Sequence, residues 1–273
     1  EEKTPLTEAS TAHLVRFSDY LRGLVVQDEI SVTFDLDRLD SDLSGGMYFD
    51  SSIPQGYGVG SSGALVAAIY DGYAHQKITV LENLTREKLL ELKVIFAQME
   101  SFFHGKSSGL DPLNSYLSLP ILINSQDHIE PAGIPSQTNK SGGAVFLLDS
   151  GITGETAPMV EIFMEKMKHE GFRNMLKNEF VRHTDSCVDD FLKGDVTSLF
   201  GNIKQLSKVV LDHFQPMIPK KFHGLWQKGL ESNAYYLKLC GSGGGGYMLG
   251  FTQDLAAAQT ALKGHKLEVV YQF

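Results

Sequence analysis

A loop of glycine and serine that runs unbroken into an apolar helix, PQGYGVGSSGALVAAIYDGY at residues 54–73, restricts what this chain can fold into more than any other stretch. Gly58, Gly60 and Gly63 fall within six residues, and glycine permits positive φ and a close approach of the backbone to a ligand or another segment. The run from Ala64 to Tyr70 is apolar enough to be a buried helix. Its first turn then presents N–H groups with no intrahelical partner at the positive end of the helix dipole, a setting that favours an anion such as a phosphate. Ser61 or Ser62 suits the N-cap, and a hydroxyl there also reaches a metal ion. Read alone, the stretch also fits, less well, an ordinary glycine turn that caps a core helix.

Other segments supply a frame for that loop. Leu14, Phe17, Leu21 and Leu24 recur at helical spacing. ISVTFDLD, residues 30–37, alternates as a strand does. Thr85 caps a long helix in which Leu89, Leu92, Phe96, Met99 and Phe103 share a face. SYLSLPILIN and GGAVFLLDSG read as strands, residues 158–226 as mainly helical, AYYLKLCGSGGGGYMLGFTQD as two strands around a glycine loop, and LEVVYQF as a closing strand. Helices and strands mix without strict alternation, so the fold class is α+β, with two domains, 1–150 and 151–273. At 273 residues the chain is long enough for two cores.

Glu100 lies four residues after Phe96 and three before Phe103, on the apolar stripe of its helix. A carboxylate there needs a partner, either a buried salt bridge or a metal ion. HGKSSGLD, residues 104–111, follows at once and ends in Asp111. Pro112 is expected to hold the chain extended at Asp111 and to fix where the acid points, although Asp-Pro also fits a plain helix start. CGSGGGG, residues 240–246, holds five glycines between strand-like segments, more than a bare hairpin needs. Together these read as phosphoryl transfer: backbone amides for phosphates, a hydroxyl and a carboxylate for Mg²⁺, and a second carboxylate beside an acceptor hydroxyl. No GxxxxGK[ST] run occurs, which excludes the Walker class.

PQGYGVGSSGALVAA resembles the phosphate-loop motif of the GHMP kinases, the superfamily of galactokinase, homoserine kinase, mevalonate kinase and phosphomevalonate kinase. MESFFHGKSSGLD is similar to the mevalonate-kinase form of the central motif, KLCGSGGGGYMLGF to the C-terminal glycine motif, and LLDSGITGETAPMV to the segment before the helical second domain. The resemblance implies a two-domain GHMP kinase fold, with a ribosomal protein S5 domain 2-like N-terminal domain and a ferredoxin-like C-terminal domain. It implies that Pro54, Gly58, Gly60, Ser61, Ser62, Gly63 and Ala64 cradle the phosphates of ATP, with Gly243 and Gly244 beside them and Gly241 and Gly245 helping to buttress the loop. Ser62, less readily Ser61, and Glu100 are implied Mg²⁺ ligands. Asp111 is implied beside the accepting hydroxyl as base or positioner. His104, Ser108, Gly109, Thr156 and Gly241 are implied around the acceptor, which resembles mevalonate, and for His104 a hydrogen bond that fixes the loop is the favoured role.

Departures are expected to bear on the acceptor rather than the phosphates. Ser107 stands where mevalonate kinases often have Pro, Pro112 where Asn is usual, and Val59 and Gly63 read as mild replacements for Leu and Ala. The family's opening strand with its Gly-Lys pair has no counterpart before Glu1, so a longer natural chain is expected. A homodimer is implied by the family alone.

Rival classes fare worse. Gly58, Gly60 and Gly63 also satisfy GxGxxG, with Glu82 about where a ribose-binding acid belongs, but DSSIPQGY is not the buried strand that a nicotinamide fingerprint requires. A non-catalytic sensor of the same fold is the other rival; Glu100 and Asp111 speak against it. The net charge of −9 and scattered Lys and Arg argue against nucleic acid, and no apolar run reaches the length of a membrane helix. Two distant cysteines, Cys187 and Cys240, fit a reducing compartment, hence the cytoplasm.

Overall fold

The computed structural model describes residues 5–80, 84–125, 128–136 and 142–273, so that Glu82 lies outside the described residues. The chain forms two compact units, one of Glu1–Pro54 with Gly60–Ala132 and the other of Gln55–Val59 with Gly133–Phe273.

The first unit is mainly helical. It contains α1 (Pro5–Val26), α2 (Leu36–Ser44), α3 (Ser61–Tyr73), α4 (Arg86–His104) and α5 (Leu110–Leu117), followed by an antiparallel pair, β1 (Ile121–Ser125) and β2 (His128–Pro131). Leu14, Phe17, Leu21 and Leu24 of α1 are all buried, with Val66 and Tyr70 of α3 and Leu92, Phe96 and Met99 of α4 in the same cluster. Thr85 accepts a hydrogen bond from the Lys88 amide at the start of α4, as its sequence signature requires.

Two strand expectations fail here. Ile30, Val32, Phe34 and Leu36 are buried in alternation, yet among the described residues their segment pairs through a single bridge, Phe34 with Ala74. The Asp35 carboxylate accepts from the Arg38 amide at 3.1 Å and turns the chain into α2, so the alternation records a half-buried extended approach to a helix. Ser115–Leu117, expected in a strand, complete α5, and the strand begins at Ile121.

The second unit is built on a four-stranded antiparallel sheet in the order β4–β5–β3–β6, with β3 at Ala144–Asp149, β4 at Tyr236–Leu239, β5 at Tyr247–Thr252 and β6 at Leu267–Gln272. Phe146 of β3 lies opposite Gly250 of β5, where a Cβ would sit 2.2 Å from the Phe146 ring; glycine is what lets the ring lie across the strand. Around the sheet run α6 (Thr156–Met167), α7 (Glu170–Met175), a π-helical turn (Leu176–Val181), α8 (Arg182–Lys193), α9 (Val196–His213), α10 (His223–Ser232) and α11 (Leu255–Ala261). Trp226 is buried, and its indole donates to the Ser207 hydroxyl oxygen at 2.9 Å. The Leu237 amide donates to the same oxygen at 3.1 Å, so one satisfied polar atom ties α9, α10 and β4.

Candidate active site

In the first unit, the N-terminus of α3, the C-terminus of α4 and the N-terminus of α5 converge. Gly60 caps α3 in the left-handed region, with φ of 82°, and no side chain caps that helix. Ser61 and Ser62 are therefore not caps, as the sequence suggested, but the first two helical residues. The glycine supplies the positive φ of the entry turn, and both serine hydroxyls are spared from backbone bonding there.

Glu100 and His104 stand one turn apart on α4 and meet the same hydroxyl. Ser62 Oγ donates to Glu100 Oε1 at 2.9 Å and lies 3.0 Å from His104 Nε2. The second carboxylate oxygen, Oε2, accepts a 2.5 Å bond from Ser107 Oγ, itself the acceptor of the Gly109 amide at 3.0 Å. Glu100 is only 4% exposed, and among the described residues no cationic side chain pairs with it. The buried salt bridge that the sequence left open is not what satisfies it; two hydroxyls do. They leave a buried carboxylate with no cationic partner among the described residues, an arrangement that favours a bound cation.

Asp111 sits in the first turn of α5. It is helical, and the extended conformation expected from Pro112 does not occur. Proline in a first turn removes an N–H that would have no helical partner anyway. The helix opens on Gly109 at φ 73°, and the Leu110 amide donates to Ser108 Oγ at 3.4 Å. The Asp111 carboxylate borders the space above Gly60, with Oδ2 3.9 Å from where a Cβ would be. Gly63 is not interchangeable with alanine here: an added Cβ would lie 2.7 Å from the Asp111 carbonyl carbon and from the Pro112 nitrogen. The glycine sets how closely α3 and α5 pack, and with it the place of the acid. Ala64 donates its amide back to the Gly60 carbonyl at 2.9 Å, and Pro54 is the last residue of its segment of this unit.

The loop residues Gln55–Val59 belong to the second unit. The Gly56 carbonyl accepts from the Gly154 amide at 2.8 Å and the Tyr57 carbonyl from the Tyr247 amide at 3.0 Å. The Tyr57 and Tyr247 rings meet edge to face at 4.9 Å. Desolvation and then the Asp149 carboxylate raise the Tyr57 phenol above its ordinary value. A Cβ on Gly58 would lie 2.7 Å from the Cys240 carbonyl oxygen, one on Gly241 would lie 3.1 Å from Gly58 Cα, and one on Gly246 would lie 2.4 Å from Tyr57 Cα. Gly241 thus touches the loop, and so does Gly246, which sequence reasoning did not single out. Gly243, Gly244 and Gly245 face elsewhere: Gly244 donates to the Met217 carbonyl at 2.6 Å, Gly243 closes against Met217 and Leu239, and Gly245 against Thr153 and Gly154. Burial pushes the Cys240 thiol up, so it stays protonated at neutral pH. Thr156 opens α6 in this unit.

Ser62 and Glu100 fit a small hard cation. Ligand oxygens about 2.0–2.1 Å from Mg²⁺ at right angles are about 2.9 Å apart, the spacing of Ser62 Oγ and Glu100 Oε1. Among the described residues no cluster of three or more His, Cys, Asp or Glu could hold a metal by itself. No helix among the described residues is long and apolar enough to cross a membrane.

No curated protein sequence matches the chain. Residues 27–118, which span α3, α4 and α5, match the GHMP kinases N terminal domain. The fold is similar to that of Streptococcus pneumoniae phosphomevalonate kinase in complex with phosphomevalonate and AMPPNP, with a TM-score of 0.60 and 14% identity over 98% of this chain and 83% of that one. It is also similar to L. major mevalonate kinase in complex with R-mevalonate, with a TM-score of 0.55 and 18% identity over 78% of this chain. The match spans 66% of the L. major enzyme, just under two thirds of its length. Residues 27–118 thus match a GHMP kinase N-terminal domain, and the chain as a whole shares the fold of these two kinases.

Proposed function

We propose that the chain is an ATP- and Mg²⁺-dependent kinase that transfers the γ-phosphoryl group to a hydroxyl of a small hydroxy acid, mevalonate or a close relative such as phosphomevalonate. The observation that carries this reading is Glu100: buried, without a cationic partner among the described residues, and 2.9 Å from the Ser62 hydroxyl at the N-terminus of α3. The S. pneumoniae kinase, in complex with AMPPNP and phosphomevalonate, supports ATP as the donor and a small acid as the acceptor. Cys187 and Cys240 are both free, which supports a cytoplasmic site of action.

Each residue has a role in this reading. The amides in the first turn of α3, which have no helical acceptors, hold phosphate oxygens at the positive end of the helix. Ser62 and Glu100 hold Mg²⁺, which when bound neutralises charge on the transferring phosphoryl group. Asp111, across the space above Gly60, orients the acceptor hydroxyl and takes or shares its proton as the oxygen attacks. Such a reaction needs positioning and charge neutralisation more than covalent help.

ADP release with ATP and Mg²⁺ should be measured with mevalonate, phosphomevalonate, homoserine, galactose and no acceptor. Turnover on mevalonate or phosphomevalonate supports the reading; silence on every acceptor with nucleotide still bound favours a binding protein of the same fold. Glu100→Gln should raise the Mg²⁺ concentration for half-maximal rate by at least about tenfold. A wild-type Mg²⁺ dependence would return Glu100 to a purely structural place between two serines.

A further inference from the structure

The Ser62 hydroxyl has one proton and two neighbours, Glu100 Oε1 at 2.9 Å and His104 Nε2 at 3.0 Å. An ionised carboxylate only accepts. Ser62 must therefore give its proton to Glu100, for otherwise two lone-pair oxygens would face each other at hydrogen-bond distance. His104 then has to donate, which assigns a proton to Nε2 in the metal-free protein. This arrangement cannot persist when a cation is bound. An oxygen that lends a lone pair to a cation cannot keep its proton aimed at a neighbouring oxygen that lends one too, because that proton would point close to the positive charge. The Ser62 proton must turn, and among the described residues its other hydrogen-bond neighbour is His104 Nε2.

We propose that His104 is a positioning residue for the divalent cation: its Nε2 changes from donor to acceptor and holds the Ser62 hydroxyl so that the oxygen faces the metal. The inference rests on the assignment of Ser62 and Glu100 as metal ligands. The geometry around the pair is suited to it. Glu100 Oε2 stays anchored by Ser107, so only the Oε1 side has to change partners. His104 ends α4 and is solvent-exposed, so Nε2 can lose its proton to water while Nδ1 gains one from water, with no net charge transferred for a neutral ring. The bond is thus more than a loop fastener: it reverses direction with metal occupancy.

Two measurements test it. Long-range ¹H–¹⁵N spectra of the histidine side chains, assigned with His104→Gln, should show Nε2 protonated in the free protein and unprotonated with ADP and Mg²⁺. An Nε2 that stays protonated after both have bound overturns the proposal. The second is Mn²⁺ affinity in the presence of ADP, read by electron paramagnetic resonance. His104→Leu should weaken it about tenfold, as loss of a partner that orients a ligand does, whereas His104→Gln, whose amide oxygen accepts, should stay within about threefold of wild type. In a Ser62→Ala background, His104→Leu should add nothing. Equal weakening by His104→Leu in both backgrounds would mean that the imidazole acts on the fold, and an unchanged Mn²⁺ affinity in His104→Leu would also overturn the proposal. If Ser62→Ala and Glu100→Gln both leave Mn²⁺ binding intact, the metal-site reading itself fails; if they weaken it and His104→Leu does not, only the inference about His104 fails. Should His104→Leu not fold, the spectra and His104→Gln still decide.

Discussion

Asp111→Asn should lower turnover by at least about two orders of magnitude while the ATP dissociation constant stays nearly unchanged. The side chain is exposed in the first turn of α5, and its carboxylate borders the space above Gly60. Asparagine keeps its size and much of its hydrogen bonding and removes only the charge and the capacity to take a proton. The fold has little reason to respond, since a charge at an exposed first turn contributes at most about 1 kcal/mol through the helix dipole. Calorimetric titration with ATP and steady-state ADP release separate the two quantities. Unchanged turnover would remove Asp111 from the chemistry, and a large loss of ATP affinity would place its carboxylate in nucleotide binding instead.

Gly109→Ala should cost stability and activity together. A Cβ at Gly109 would lie 2.1 Å from the Lys93 carbonyl oxygen and 2.7 Å from the Ala97 nitrogen, at φ of 73°. Both obstacles are the backbone of α4, so nothing flexible can move aside, and either α5 retreats or α4 bends. We expect a loss of about 3 kcal/mol or more in urea unfolding, with turnover reduced in whatever fraction remains folded because Asp111 travels with α5. Gly105→Ala is the matching control. It has φ of 71° and nothing within 4 Å, so only the left-handed backbone is penalised, by about 1–2 kcal/mol. Equal effects at the two positions would mean that the contact between α4 and α5 is looser than described.

Part of the arrangement was legible because it lies on short-range pattern. Glu100 falls on the apolar stripe of α4 by its spacing alone, Thr85 announces that helix, and the two strands about residues 240–246 follow from composition. What escaped depends on partners distant in sequence. Ser107 reads as a departure from a motif until its hydroxyl is seen on Glu100 Oε2. Gly246 looks like any glycine in a run until Tyr57 is found where its side chain would be. Alternation over residues 30–36 was a true record of burial and a false record of pairing, because a sequence carries its own periodicity but not the presence of a neighbouring strand. Gly63 appeared a tolerant substitution because its neighbour, the backbone at Asp111, is nearly fifty residues away in the chain.

The membership of Gln55–Val59 has a bearing on how such a protein can be recombined. These five residues are bonded to Gly154 and Tyr247 of the second unit, while the helix that continues them from Ser61 belongs to the first. No single crossover can therefore exchange one unit whole. A chimera joined after residue 132 would bring Tyr57 and Gly58 against a foreign β-hairpin, and steric fit at Gly241 and Gly246 would decide whether it folds. Inheritance of the second unit thus includes a five-residue insert upstream of it: viable shuffling needs three junctions, near residues 54, 59 and 132, where a linear reading of the domains would cut once.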